Sequence, residues 1–110
     1  MLVLTACASG GGALTPPGRS SSQVLLVANF ANNTVTEYAP PSPYSGSPIA
    51  TVATGLDRPW GVTLDSSGDL FVANYAGDTV TEYAPPYTGN PIVTITAGVD
   101  DPADVLIISQ

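Results

Sequence analysis

A 15-residue passage occurs twice in this chain, and nothing else in the sequence constrains the fold as much. Residues Val27–Pro41 return as Val72–Pro86 at an offset of 45, with 12 of the 15 positions identical. After a slip of two residues, Tyr44-x-Gly46-x-Pro48-Ile49 is matched by Tyr87-x-Gly89-x-Pro91-Ile92. A period of this size belongs to stacked supersecondary units, each burying its apolar face against the next. The chain is therefore read as a pair of tandem units and not as one free-standing globule.

Short strands set off by turns fill each unit. Val24–Ala28 is apolar and partly β-branched, and Asn29–Asn33 reads as a turn. Thr34–Tyr38 alternates in the two-residue rhythm of a strand. Pro40-Pro41 then ends pairing, because neither residue donates to a ladder. Ile49–Ala53 makes a third strand, Gly55–Pro59 a connector and Gly61–Leu64 a fourth. Asp65-Ser66-Ser67-Gly68 has the composition of a hairpin turn: side-chain oxygens for the backbone, and glycine where φ is positive. Leu70–Ala73, Thr79–Tyr83 and Ile92–Thr96 repeat the series, and Asp104–Ile108 is expected to add a last strand. No stretch carries sustained helical spacing with caps, so the fold class is all-β.

If the strand after the connector is labelled A, the chain reads B, C, D, then A, B, C, D, then A. Residues 13–20 hold Pro16-Pro17-Gly18 where a first A would lie, without apolar alternation. A missing strand at one end and a surplus one at the other is how circular propellers close. Residues 23–110 are thus expected to form two four-stranded antiparallel propeller blades: a partial blade at 23–54, a full blade at 60–96 and an extra strand at 104–108. If these 110 residues are the whole product, two blades are too few for a ring, and a homotrimer joined through the surplus strands would supply six.

Composition narrows the function. Nine carboxylates against Arg19 and Arg58, with no lysine or histidine, give a net charge of −7. That balance repels phosphate backbones, so nucleic acid is not an expected partner. Without histidine, and with Cys7 the only cysteine, Ser-His-Asp and Cys-His catalysis and the usual zinc sites are excluded. No intramolecular disulfide is possible.

Leu4-Thr5-Ala6-Cys7 resembles the lipobox of bacterial lipoproteins, in which small residues precede a cysteine that is cleaved and lipidated. Residues 1–7 are read as a truncated lipoprotein signal, short and without the basic start of a full export signal. Residues 8–22, rich in Gly, Ser and Pro, are read as a flexible tether. The resemblance implies lipidation of Cys7, a membrane anchor and an extracytoplasmic place in the bacterial cell envelope.

The stretch from Gly55 to Asn74 resembles the NHL repeat: Leu56, Pro59, Gly61, Val62, Asp65, Gly68, Phe71, Val72, Ala73 and Val80 fall on its pattern. Asn29 and Asn74 stand where the repeat usually has aspartate, and the basic residues that often follow are missing. The resemblance spans about residues 23–110 and implies a β-propeller, six-bladed in most members and similar in shape to gluconolactonase-type enzymes. A fold does not fix an activity, which has to be argued from a site.

Arg58 and Trp60 break the repetition, since their counterparts 43 residues on are Asp101 and Ala103. Residues that break symmetry in a connector at one rim are candidates for ligand contact, with ordinary packing the alternative for Trp60. Asn29 and Asn74 are further candidates at the ends of equivalent strands, where they also suit bonding to the following turn. Asp78, Asp65 and Asp69 are hard oxygen donors that could hold calcium, although Asp65 and Asp69 flank a position that demands a turn. Asp100, Asp101 and Asp104 read first as a charged connector. Glu37 and Glu82 are expected on a solvated face, and Tyr38 and Tyr83 in packing between blades.

The reading that best fits these residues is a non-enzymatic, envelope-tethered repeat module that binds a protein or small-molecule ligand without a cofactor. Two alternatives stand beside it. One is a metal-dependent gluconolactonase-like hydrolase using Asn29, Asn74 and Asp78. The other is a fragment of a longer propeller with no function of its own.

Overall fold

The computed structural model describes residues 23–41 and 43–109. Cys7, Arg19 and the tether at 8–22 lie outside the described residues. Seven strands form: β1 (Leu25–Asn29), β2 (Thr34–Tyr38), β3 (Ala50–Val52), β4 (Pro59–Leu64), β5 (Leu70–Asn74), β6 (Thr79–Tyr83) and β7 (Val93–Ile95). They make two antiparallel sheets, β1-β2-β3 and β4-β5-β6-β7, with no helix among the described residues. The molecule is all-β.

Both sheets are laid out alike. Leu25 faces Tyr38 and Asn29 faces Thr34 in the first; Leu70 faces Tyr83 and Asn74 faces Thr79 in the second, each 45 residues on. Val35 faces Val52 as Val80 faces Ile95, so the third strands correspond at an offset of 43. The same φ > 0 positions recur: Asn33 and Asp78, Tyr44 and Tyr87, Gly55 and Gly98, Arg58 and Asp101. Each second strand ends near a Pro-Pro pair with a cis bond, Pro40-Pro41 and Pro85-Pro86.

Alternation along the strands gives each sheet two faces. Leu26, Val35 and Val52 line one face of the first sheet; Val62, Leu70, Val72 and Tyr83 line one face of the second. Together with Tyr87 these residues form a single buried cluster, with β1 lying against β4. Tyr83 is buried, and its hydroxyl donates to the Thr54 carbonyl at 2.7 Å, tying the second sheet to the end of the first. That matches the inter-unit packing expected of it.

Among the described residues the first sheet has three strands, as the B, C, D order of residues 23–54 predicts. Two expectations need correction. The segment 104–108 is not a strand: it pairs with none of the described strands, and Leu106, Ile107 and Ile108 stay exposed. Glu37 and Glu82 are half-buried instead of lying on a solvated face, because β3 and β7 bring Ala50 and Val93 directly beside them.

Candidate functional site

The connector between the sheets is held at successive backbone groups. The Asp57 amide donates to Asn74 Oδ1 at 3.2 Å, and the Arg58 amide to Asn33 Oδ1 at 2.7 Å. In return the Asp57 and Arg58 carbonyls accept from the amides of Ala76 and Tyr75. Arg58 is thereby fixed at φ 55°, a left-handed conformation that a non-glycine residue holds only where its surroundings over-determine it.

This clamp delivers Arg58 and Trp60 to one end of the sheet pair, beside the residues that leave β1 and β5. The Phe30 and Trp60 rings meet edge to face at 5.4 Å, and Trp60 lies 4.9 Å from Tyr75. Phe30 and Tyr75 are 6.2 Å apart, so the three rings touch in a closed group within the usual range for aromatic pairs. The Arg58 guanidinium carbon stands 5.2 Å from the Phe30 ring centroid, a cation–π contact. Phe30 and Trp60 each keep more than a third of their surface in solvent. An open pocket of about 300 Å³ adjoins them, lined by Ala28, Phe30, Pro59 and Trp60.

Arg58 and Trp60 are thus brought together, with two aromatic partners that the sequence reading left inside turns. Phe30 and Tyr75 are equivalent positions, each following the strand-end asparagine, and an aromatic ring kept through a substitution was the signal that could have found them.

Asn29 and Asn74 are not part of this group. The Asn74 side chain is fully buried, and its amide donates to the hydroxyls of Thr79 and Thr81 at 3.1 and 3.0 Å. Asn29 makes the same pair of bonds to Thr34 and Thr36. Both bind hydroxyls of the facing strand as well as closing the turn. With its oxygen on Asp57, Asn74 has its hydrogen bonds committed within the protein.

The acidic candidates fall into two clusters. Asp65, Asp69 and Glu82 bring carboxylate oxygens within 4.8 Å of one another, as do the exposed Asp78, Asp100 and Asp101. The first cluster is primarily a turn: Asp65 Oδ1 accepts from the amides of Ser67 and Asp69 at 2.9 and 3.0 Å, and Gly68 sits at φ 87°. Glu82 titrates above the usual carboxylate range, first through burial, then through its hydrogen bond to Asp69 and the charges of Asp69 and Asp65. In the second cluster Asp78 Oδ1 accepts from the Asp101 amide at 2.8 Å, the counterpart of the Asn33–Arg58 bond. Asp101 is also raised, by lost hydration in the crowded turn and then by Asp100 and Asp78. Lost hydration, and after it the neighbouring carboxylates, explain both shifts.

Comparison with known proteins brings no assignment: no family model matches the chain, and no match arises among curated proteins or solved structures.

Proposed function

We propose that this chain is a non-enzymatic recognition module built from two NHL-like propeller blades and tethered to the cell envelope through Cys7. The paired sheets with one register support the blade reading, and the lipobox-like residues support the tether. The observation that carries the functional reading is the partly exposed Phe30–Trp60–Tyr75 group with Arg58 beside an apolar pocket. Aromatic walls with one fixed cation suit a ligand that has a flat apolar body and an anionic group, since a ring gives area and the guanidinium gives orientation.

Trp60 is the only tryptophan, so its emission reports on this site directly. Titration with naphthalene-1-sulfonate as a probe should change Trp60 emission in a saturable way. Phe30→Ala removes one wall and should weaken binding about tenfold, the loss of roughly 1.4 kcal/mol. Arg58→Asn, a residue that tolerates positive φ, should weaken it several-fold without disturbing the connector. A linear, unsaturated response in the parent, or equal binding by both variants, would remove the site.

A further inference from the structure

We propose that the two outer faces of this sheet pair are the halves of one head-to-tail interface, and that its occupant is a second copy of this chain. The internal contact between the sheets supplies the template. In the first sheet Leu26, Val35 and Val52 are at most 2% exposed, because the second sheet covers them. Their counterparts in the second sheet are Phe71, Val80 and Ile95, which face outward and leave Ile95 40% exposed. On the other side of the contact Leu70, Val72 and Tyr83 are buried, whereas their counterparts Leu25, Val27 and Tyr38 on the outer face of the first sheet are only half-covered. Each outer face carries the residues that the other face packs against inside the molecule.

The edges complement each other in the same way. β4 covers the edge of β5, but among the described residues no strand pairs with the outer edge of β1, and residues 102–107 run on without a strand partner. Carrying the β4–β5 register forward places Pro102 opposite Asn29, Asp104 opposite Ala28, Val105 opposite Val27, Leu106 opposite Leu26 and Ile107 opposite Leu25 of the next copy.

Finer contacts are prepared as well. Gly55 presses on Pro91 and the Tyr83 hydroxyl, a Cβ there meeting Pro91 Cγ at 2.7 Å; Gly98 holds nearly the same φ with nothing within 4 Å. Pro48 and Tyr38 of the next copy are the groups that would fill that space. The Tyr38 hydroxyl would then donate to the Ala97 carbonyl as Tyr83 does to Thr54, and Asn29 Oδ1 would accept from the Asp100 amide as Asn74 does from Asp57. Because the faces differ, the contact is heterologous and either closes into a ring or continues as a filament.

The test uses the full chain with Cys7→Ser as background, and adds Val27→Cys and Val105→Cys as separate variants. Opposed residues of neighbouring strands lie within disulfide range. Mixing the two variants under mild oxidation should give a reducible product of twice the chain mass, and neither variant alone should. Leu106→Asp should reduce the parent to monomer in light scattering while leaving its β-sheet circular dichroism unchanged. A product no stronger in the mixture than in each variant alone would overturn the proposal. So would a monomeric parent at about 0.1 mM, since association would then be weaker than that.

Discussion

Asn74 shows what a single side chain does here. Its amide and carbonyl join two threonines of β6 to the connector backbone, all with little access to solvent. Asn74→Ala strands those groups, and a buried donor or acceptor without a partner costs about 1–3 kcal/mol. Urea denaturation should show a loss of that order. Asn29→Ala should cost less, since Asn29 is half-exposed and Thr34 and Thr36 can turn to water. Equal losses would mean that the buried connector bond contributes nothing. The Asn-x₄-Thr-x-Thr pattern was visible twice in the sequence, but the reach of Asn74 to Asp57, 17 residues away, comes only with the packing of the connector.

At the scale of elements, the turn before β5 and the strand face beside it pull in different directions. Asp65→Ala removes the acceptor of two amide bonds and should cost about 1 kcal/mol; Gly68→Val forces a β-branched residue to φ 87° and should cost more. Glu82→Ala should cost little or stabilise, since it relieves crowding with Asp65 and Asp69. The pH dependence follows from the same cluster. Glu82 binds its proton more tightly folded than unfolded, and so does Glu37, which burial raises. The folded state therefore holds extra protons from about pH 4.3 upward to the raised values, and stability falls as pH climbs through that window. Melting temperature at low protein concentration should be higher at pH 5 than at pH 7, with a smaller difference in Glu82→Gln. A flat or reversed profile would contradict the burial of these carboxylates.

Strand positions were largely legible at this scale: Thr34–Tyr38 and Thr79–Tyr83 were read to the residue, and the other paired strands to within a residue or two. Alternation and proline stops are local properties. The segment 104–108 has the same local properties and still forms no strand, because a strand exists only with a partner. The aromatic group was half legible for a similar reason. Arg58 and Trp60 stood out by breaking the repetition, whereas Phe30 and Tyr75 lie 45 residues apart and meet only when the sheets stack.

The whole molecule carries seven net negative charges, and assembly of copies has to bring these together. At low ionic strength the repulsion is felt over about 30 Å, and at 0.1 M salt over about 10 Å. Association through apolar sheet faces should therefore strengthen as salt rises from 10 to 150 mM, and sedimentation at several salt concentrations would show it. Association that weakens with salt would point to an interface made by charge instead of the Ile95 and Leu25 faces. With no long apolar helix among the described residues, membrane attachment in the proposed reading rests on lipidated Cys7. Cys7→Ser in the natural gene should then shift the protein out of the membrane fraction.

The clamped connector has one more consequence, for how such a chain could change its ligand. Its path is held by bonds from its backbone amides to Asn74 and Asn33, which leave the side chains at 58 and 60 to face the aromatic group. The second connector follows the same path with Asp101 at φ 47° and Ala103 in place of Arg58 and Trp60. Two of these positions can thus be rewritten while the scaffold stays the same, which makes binding specificity a nearly independent variable of the fold. Grafting the pair, as Asp101→Arg with Ala103→Trp, should install a second aromatic platform beside Tyr75 from one round of mutagenesis.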